Sequence, residues 1–299
     1  MTASEFPNLR RHSLGFWEVI DKPSAAQLRE YYSKKYYQES RGSYESSYTP
    51  AELKYFRAKI RQRAAVVARA VPRLGSLLDV GCGEGFALAY FRERGWKVKG
   101  LDYSSAGLEA NNPGCRDALV VGDVFELLQA ETASGDRYDV IWLQNVLEHV
   151  LDPVALLESL RGLVADGGVL VATVPNDFSA LQRNALDEKL IESPFWIALP
   201  DHLSYFSRES LLNIGSATGW SCDEVLADFP VDWFLYHQGS NYVRDKSVGK
   251  RAHLARVDLE NLIGTAPLED VVAFYAALAK IGMGRDLTAF YRPAARATP

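Results

Sequence analysis

The chain has 299 residues, of which 47% are hydrophobic and 24% are charged, as in ordinary globular enzymes and unlike disordered chains. Its net charge of −5 offers no basic surface for DNA or RNA, and no run approaches the roughly 18 apolar residues that span a membrane. The 3 cysteines do not suggest a disulfide framework, which fits a reducing compartment. We therefore expect a cytoplasmic protein that acts on a small molecule, without a nucleic-acid partner or a membrane span; the oligomeric state stays open.

Residues 1–48 are rich in tyrosine and show no clean period, which predicts short helices and loops. The tyrosines are Tyr31, Tyr32, Tyr36, Tyr37, Tyr44 and Tyr48. We interpret this segment as an N-terminal cover of the domain that follows. Its rings either coat the domain surface or form a lid over the ligands, and the sequence leaves both possibilities open.

From residue 49 onward, apolar runs typical of strands alternate with helical patterns, beginning with a capping box at Thr49 and Glu52. The predicted strands are Ser76–Val80, Trp96–Leu101, Ala118–Val121, Tyr138–Leu143, Gly168–Val174, Trp220–Phe229 and Asp286–Tyr291. The predicted helices are residues 49–71, 86–94, a short one after 104, 153–164, 208–219 and 268–281. This alternation predicts a doubly wound α/β fold with a mostly parallel sheet.

The alternation of predicted strands and helices is interrupted twice, and these interruptions define the predicted domain organisation. Residues 176–204 hold no clear strand, and residues 230–284 separate the last two predicted strands. We predict a core of residues 49–229 and 285–299, with 230–284 as a helical insertion near the acceptor pocket.

A glycine-rich turn between the first predicted strand and its helix carries the strongest chemical signal. Gly81, Gly83 and Gly85 lie within the run Leu77-Leu78-Asp79-Val80-Gly81-Cys82-Gly83-Glu84-Gly85-Phe86. Glycines let the backbone turn sharply and approach a ligand, and the helix N-terminus behind them favours negative groups. Such a loop alone serves several kinds of ligand.

Three acidic residues make the ligand prediction more specific, because they lie at the ends of the first three predicted strands. Asp79 precedes the glycines, Asp102 closes the second strand and Asp123 closes the third. Parallel sheets bind ligands at these strand ends, where a carboxylate can accept hydrogen bonds from a ribose diol or meet an adenine edge. A single acid there is more often a loop cap, but three in register favour a nucleoside ligand.

Together these stretches resemble the class I S-adenosylmethionine-dependent methyltransferases. Five motifs occur in the family's order over about residues 50–225: 78–85, 100–104, 122–124, 138–141 with 146–153, and 166–171. The resemblance implies a Rossmann-like sheet of seven strands whose last strand is antiparallel, S-adenosyl-L-methionine as cofactor, and methyl transfer as the reaction.

The resemblance also implies how the methionine part of the cofactor would bind. Gly81 and Gly83 would pass beneath it, and Asp79 would reach its amino group directly or through water. Gln144 and Asn145 would lie near the transferable methyl group.

For the adenosine part, the resemblance implies four further contacts. Asp102 would bind the ribose hydroxyls and Tyr103 would pack on the adenine ring. Asp123 and Val124 would read the adenine edge.

The nearest subgroup resembles the ubiquinone-biosynthesis O-methyltransferases and their relatives that act on sugars and natural products. Those ubiquinone enzymes carry Glu-x-x-Glu-His after the fourth strand, whereas this chain has Asn145-Val146-Leu147-Glu148-His149. Because an amide is a poor replacement for a carboxylate ligand of a hard cation, no metal site is expected.

Two histidines are the catalytic candidates, since a hydroxyl acceptor benefits from a general base. His149 follows the fourth strand, and His202 lies in the loop before the helix capped by Ser207. Either histidine could instead be structural. Aromatic residues in and before the insertion would line the acceptor pocket: Trp196, Tyr205, Trp233, Phe234, Tyr236 and Tyr242.

The sequence thus predicts a methyltransferase, with O-methylation of a small polar acceptor such as a sugar, a sugar conjugate or a natural-product hydroxyl. N-methylation of a small molecule is the closest alternative. A nucleotide-dependent oxidoreductase and a catalytically silent cofactor-binding module stay open, because a fold does not fix a reaction.

Overall fold

The computed structural model describes residues 6–34 and 48–295. The strands in that part of the chain are β1 Leu9–Arg11, β2 Trp17–Val19, β3 Ser76–Val80, β4 Lys97–Asp102, β5 Leu119–Val121, β6 Tyr138–Gln144, β7 Val164–Pro175, β8 Ser204–Tyr205, β9 Trp220–Ala227 and β10 Asp286–Pro293. The helices are α1 Ala25–Lys34, α2 Pro50–Ala70, α3 Phe86–Arg92, α4 Ala106–Asn111, α5 Val124–Ser134, α6 Pro153–Arg161, α7 Ala180–Asp187, α8 Arg208–Ala217, α9 Gly249–Ile263 and α10 Leu268–Lys280.

The main sheet has seven strands in the order β5-β4-β3-β6-β7-β10-β9. The strands from β5 to β7 are parallel to one another, whereas β10 is antiparallel to both β7 and β9. This confirms the predicted seven-stranded, mostly parallel sheet with its antiparallel last strand. The strand order reverses at β3, which lies between β4 and β6, and ligands bind at such a switch point in open α/β sheets.

Burial explains why the central strands read as continuous apolar runs. Leu77, Leu78 and Val80 of β3 are 0% exposed, because helices cover both faces of the sheet. The edge strand β5 is only 3 residues long and leaves Val120 and Val121 partly exposed. A short edge strand limits unwanted pairing with other chains.

Helix α5 was not predicted, although its cap is visible in the sequence. The Asp123 carboxylate accepts hydrogen bonds from Phe125 N and Glu126 N, at 3.0 and 3.3 Å. Asp-x-x-Glu before an apolar run is a helix-start signature. The sequence interpretation assigned Asp123 to the ligand and overlooked the helix that it begins.

A second, smaller sheet of β1, β2 and β8 corrects the expectation of only short helices and loops near the N-terminus. β2 pairs antiparallel with β1 and with β8, which lies far along the chain. Strands of 2 or 3 residues are too short to show a period, and their pairing is not local. Tyr36, Tyr37 and Tyr44 lie outside the described residues.

The small sheet belongs to a second hydrophobic core beside the main one. Its buried members come from the cover, from residues 176–206 and from the insertion: Phe6, Leu9, Val19, Phe178, Ala185, Ile191, Trp196, Leu203, Tyr205 and Leu235. Three distant stretches of chain therefore fold against one another next to the end of β7.

Residues 230–284 contain α9 and α10, joined to β9 by short 3-10 turns. Helix α9 packs against α2, and α10 packs against β9 and α2. None of the helices among the described residues is long and apolar enough to cross a lipid bilayer.

Candidate active site

A cavity of about 910 Å³ opens at the carboxyl ends of β3, β4 and β6. The glycine turn, α2, α9 and the loop before β8 all contribute to its lining. Of the expected site residues, Asp79, Gly81, Gly83, Gly85, Asp102, Tyr103, Val124, Gln144, Asn145, His149 and His202 line this cavity. Asp123 is not among the lining residues that the structure describes.

The glycine turn needs glycine at Gly81 for two reasons. Its φ of +72° lies in the left-handed region, and a Cβ there would come within 2.5 Å of Val146 Cγ2. Gly81 N and Cys82 N both donate to Leu101 O, at 2.8 and 3.2 Å, which fixes the turn against the end of β4. These hydrogen bonds hold the backbone of the turn in place at the wall of the cavity.

Asp102 anchors the same turn from the second strand. Its Oδ2 accepts from Gly83 N at 2.8 Å and its Oδ1 accepts from Ser104 N at 3.0 Å. The carboxylate is only 4% exposed, so it is oriented by backbone donors before any ligand binds. A carboxylate oxygen can accept more than one hydrogen bond.

Asp79 lies deeper, at the end of β3. Burial, and to a lesser degree the charge of Asp102, raises the pKa of Asp79 to about 8. A cation that enters beside this carboxyl would favour its ionised form, as expected for the amino group of the cofactor.

Gln144 and Asn145 occupy the end of β6 next to the glycine turn. Asn145 has a φ of +53°, a conformation that asparagine tolerates better than most residues. Gln144 Oε1 accepts hydrogen bonds from Arg63 Nη1 at 2.8 Å and from Trp142 Nε1 at 3.3 Å.

Arg63 is a site residue that the sequence interpretation missed. It lines the cavity, is 5% exposed, and makes no ion pair among the described residues. Burial lowers its pKa from the usual value, although four acidic groups nearby act in the opposite direction. A signal for Arg63 was present in the sequence. Tyr55, Lys59 and Arg63 are spaced four residues apart, which places their polar groups on one face of α2.

At the other end of the cavity, Glu148 and His149 come from the turn after β6. Glu148 is 0% exposed, and neither of its carboxylate oxygens has a hydrogen-bond partner among the described residues. Burial raises the pKa of the Glu148 carboxyl well above its usual range.

His149 is oriented by a backbone carbonyl. Its Nδ1 lies 2.7 Å from Asp201 O, and since a carbonyl only accepts, Nδ1 carries the proton. Its Nε2 lies 3.7 Å from Glu148 Oε1. Burial lowers the pKa of His149 to about 4, so the ring is neutral at pH 7.

His202 completes this group, with its ring centroid 4.9 Å from that of His149. Its Nδ1 is buried without a hydrogen-bond partner among the described residues. Burial, and to a lesser degree His149, lowers the pKa of His202 to about 3. The structure therefore brings both catalytic candidates together, and it adds Glu148, which the sequence interpretation had not selected.

The cover reaches the cavity at two points. The Tyr48 hydroxyl donates to the Glu84 carboxylate, and the Tyr31 hydroxyl donates to the Asp201 carboxylate. Leu28 and Tyr48 also line the cavity.

The expected aromatic lining from the insertion is wrong. None of the six predicted aromatic residues is among the cavity-lining residues that the structure describes. Trp196 and Tyr205 are 1% exposed and pack on Phe178 in the second core, whereas Trp233 and Tyr236 are 43% exposed. Helix α9 instead presents polar residues to the cavity, namely Lys250, His253 and Arg256.

Comparison with known proteins assigns the family. A family model described as a methyltransferase domain matches residues 51–225. The chain belongs to this methyltransferase family. The matched residues include the glycine turn, Asp102, and the turn after β6 that carries Glu148 and His149.

Curated relatives of this methyltransferase include two named ubiquinone biosynthesis O-methyltransferase. The relative from Histophilus somni is 36% identical over 111 residues, which cover 35% of this chain and 47% of the relative. The relative from Aeromonas salmonicida is 27% identical over 146 residues, which cover 48% of this chain and 61% of the relative. The methyltransferase thus spans about half the length of the curated relatives that it matches.

Solved structures share the fold of the methyltransferase. The Burkholderia thailandensis 1,6-didemethyltoxoflavin-N1-methyltransferase has a TM-score of 0.50 at 14% identity, covering 96% of this chain and 100% of that chain. The plantazolicin methyltransferase BpumL has a TM-score of 0.51 at 14% identity, covering 90% of this chain and 94% of that chain. Family and fold together bear out the predicted class I methyltransferase.

Proposed function

We propose that this methyltransferase transfers the methyl group of S-adenosylmethionine to a hydroxyl of a small polar acceptor, such as a sugar, a sugar conjugate or a natural product. One observation carries the proposal. A single cavity joins the glycine turn and Asp102 to the group formed by Glu148, His149 and His202. The named O-methyltransferase relatives support the choice of oxygen as the methylated atom.

In this proposal the methionine part of the cofactor lies over Gly81 and Gly83. Its amino group faces Asp79, and its carboxylate faces Arg63, a buried guanidinium without an ion pair among the described residues. Placing opposite charges together in a buried site offsets the cost of removing each from water.

The adenosine part then lies along Asp102, Tyr103 and Val124. Asp123 would contribute to adenine recognition through the first turn of α5, whose N-terminus it caps. Gln144 and Asn145 would flank the sulfonium, between the two ends of the cavity.

The acceptor would lie against His149 and His202, the catalytic residues of this proposal. The acceptor oxygen attacks the methyl carbon, the carbon–sulfur bond breaks, and S-adenosylhomocysteine leaves. A neutral imidazole can take the hydroxyl proton, and proton transfer of this kind contributes about 10²- to 10⁴-fold to the rate. Most of the remaining acceleration comes from holding acceptor and methyl group in line.

The cover and the insertion would enclose this acceptor. We assign residues 1–48 to the cover, 49–229 and 285–299 to the core, and 230–284 to the insertion. Tyr31, Tyr48 and the polar face of α9 support an enclosing role, because each reaches the cavity or its rim.

Calorimetric titration with S-adenosylhomocysteine tests the cofactor site. We expect binding that weakens by about ten- to hundred-fold in Asp102→Asn, since a charge-assisted hydrogen bond contributes about 1.5–3 kcal/mol. Asp136→Asn, an exposed acid, is the matched control. Absence of binding to the wild-type protein, or equal affinity in Asp102→Asn, would contradict the proposed site.

An acceptor screen tests the reaction. Hydroxyl acceptors are paired with their amino analogues, and each neutral sugar is paired with its phosphorylated form, because Lys250 and Arg256 line the acceptor side. Methylation of hydroxyl compounds supports the proposal. Turnover confined to the amines would identify an N-methyltransferase, and cofactor binding without any turnover would indicate a silent module.

A further inference from the structure

Helix α9 presents a row of basic side chains to the cavity. Lys250, His253 and Arg256 are spaced three residues apart, so they lie on one side of the helix, and all three line the cavity. His253 Nε2 lies 2.8 Å from Glu52 Oε1, and His253 Nδ1 lies 3.2 Å from Arg256 Nη2. These contacts tie the basic side of α9 to the first turn of α2.

Arg256 is held in place and still has a donor without an acceptor. Its guanidinium carbon lies 5.1 Å from the centre of the Tyr55 ring, and its Nη2 contacts His253. Its Nε is buried and has no hydrogen-bond partner among the described residues. A buried donor in a native protein normally has an acceptor, and an anionic ligand would provide one.

Arg285 enters the cavity from the loop before β10, and its backbone is held on both sides. Arg285 N donates to the Asp228 carboxylate and Asn176 N donates to Arg285 O, each at 2.8 Å. Gly284 has a φ of +105°, and a Cβ there would come within 2.5 Å of Ala227 Cβ. Glycine is therefore needed for the close approach to the end of β9 that places Arg285.

The Arg285 guanidinium also has a donor without an acceptor. Its Nη1 is buried without a hydrogen-bond partner among the described residues, and Asp232 Oδ2 lies 4.0 Å from it. Asp232 instead accepts a hydrogen bond of 2.6 Å from the Tyr242 hydroxyl. Burial raises the pKa of Asp177 to about 7 although Arg285 acts against this, and neither Asp177 oxygen has a hydrogen-bond partner in the described part of the chain. These neighbouring acids therefore leave Arg285 Nη1 available to a ligand.

Arg256 and Arg285 lie near the same groups, although they come from different elements. Burial raises the pKa of Tyr242 above its ordinary range, and the charges of Arg285 and Arg256 both oppose this shift. Burial and then His149 lower the pKa of His202, and the charge of Arg285 acts in the same direction. Because such effects weaken with distance, Arg285 lies in the neighbourhood of both Arg256 and His202.

We propose that the acceptor of this methyltransferase is an anion, whose carboxylate or phosphate group binds to Arg256 and Arg285 while its hydroxyl faces His202. Planar guanidinium groups match the paired oxygens of either oxyanion, and hydrogen bonds between charged groups are about twice as strong as neutral ones. Lys250 is exposed and lines the same cavity, where its charge would attract an anion.

This inference rests on the proposed function for the transfer of a methyl group to a hydroxyl, and it narrows the acceptor to acids. Neither arginine takes part in proton transfer, so His149 and His202 keep their proposed role as bases. Binding of an anion is measurable without methyl transfer, and the two proposals therefore fail separately.

The experiment titrates full-length protein, saturated with S-adenosylhomocysteine, with inorganic phosphate and separately with acetate at constant ionic strength. Saturation occupies Arg63, which the proposed function gives to the cofactor carboxylate. We expect calorimetry to show one anion bound per chain, and binding at least about ten-fold weaker in Arg256→Gln and in Arg285→Gln. Arg251→Gln, an exposed position of α9 outside the cavity lining, is the matched control and should bind the anion as the wild type does.

Tighter binding of phosphate than of acetate would identify a phosphorylated acceptor, and the reverse order would identify a carboxylic acid. Absence of saturable binding of both anions to the wild type would overturn the inference. Equal affinity of the wild type, Arg256→Gln and Arg285→Gln would also overturn it, because the anion would then bind elsewhere.

Two further measurements keep the outcomes distinct. Binding of S-adenosylhomocysteine to each variant checks that its fold is intact. The anion titration is repeated without S-adenosylhomocysteine, and if that compound does not bind the wild type while anion binding depends on Arg256 and Arg285, the proposed function fails and the anion site stands.

The acceptor screen gives a second readout when each hydroxy acid is paired with its methyl ester. The acid should be methylated with a kcat/KM at least about ten-fold higher than that of the ester. Arg285→Gln should lower kcat/KM for the acid much more than for the ester, whereas a purely structural role would lower both equally. A preference of the wild type for the ester would overturn the inference.

Discussion

Arg63 Nη1 donates a hydrogen bond of 2.8 Å to Gln144 Oε1, and this contact joins helix α2 to the end of β6. Since Trp142 Nε1 donates to the same oxygen, the carbonyl of Gln144 is committed to the protein and its amide N–H groups are left for a ligand. The contact sets the position of a buried cation in the wall of the cavity.

Arg63→Lys should weaken S-adenosylhomocysteine binding by about ten-fold in calorimetry, because lysine keeps the charge but loses the planar fork that matches a carboxylate. Arg61→Lys, two residues away on the exposed face of α2, is the control. Equal affinity of both variants for S-adenosylhomocysteine would show that Arg63 does not contribute to binding.

His149→Ala and His202→Ala should each lower turnover by at least about 100-fold once an acceptor is known. Affinity for S-adenosylhomocysteine should stay nearly constant, since neither ring belongs to the glycine turn or the Asp102 contacts. Steady-state kinetics and calorimetry on the same preparations separate the two effects, with His237→Ala as the control. Unchanged turnover in both variants would exclude the histidines from catalysis.

Asp123 caps helix α5 and is also expected to contact the adenine ring, and two substitutions distinguish these roles. Asp123→Ala should lose the α5 cap and about 1 kcal/mol of stability in denaturant unfolding, whereas Asp123→Ser keeps a capping oxygen. If Asp123 also reads the adenine edge, both variants bind S-adenosylhomocysteine more weakly. Normal affinity in the stable serine variant would leave Asp123 as a helix cap alone.

Glu52 should make stability depend on pH in the acid range. Hydrogen bonds from the Thr49 backbone and side chain, then from His253, lower the pKa of Glu52 to about 2. The folded protein therefore binds a proton at Glu52 less tightly than the unfolded chain does. The ionised carboxylate contributes its full stabilisation of the fold above the ordinary pKa near 4.5, and this contribution is lost as the pH falls toward 2.

Glu52→Gln should therefore be less stable than the wild type at pH 7, with a difference that shrinks as the pH falls below 4.5. Urea unfolding at several pH values measures this. A pH-independent difference for Glu52→Gln would indicate lost packing and not lost charge.

The part of the cavity around the glycine turn was predictable because its signals are local. The glycine turn and the acids at Asp79 and Asp102 each follow a strand directly, and parallel strand ends necessarily meet at one edge. The family resemblance covered the same stretch.

The part of the cavity around Glu148 was only partly predictable, because distant segments meet there. His202 reaches Glu148 only through backbone bonds made by Leu203 and Ser204, and no local pattern encodes such pairing. For the same reason Trp196 and Tyr205 looked like pocket residues, whereas they fill a core that the N-terminal strands complete.

Strands β9 and β10 are antiparallel neighbours, a pair that a turn of two residues can connect. The chain instead inserts residues 228–285 between them, at the sheet edge opposite β5. The ends of this segment are held at the strands, because Arg285 N and Asp286 N donate to the Asp228 carboxylate at 2.8 Å. Because Lys250, His253 and Arg256 of α9 line the cavity, a change of this segment would alter the cavity wall without touching the glycine turn or Asp102.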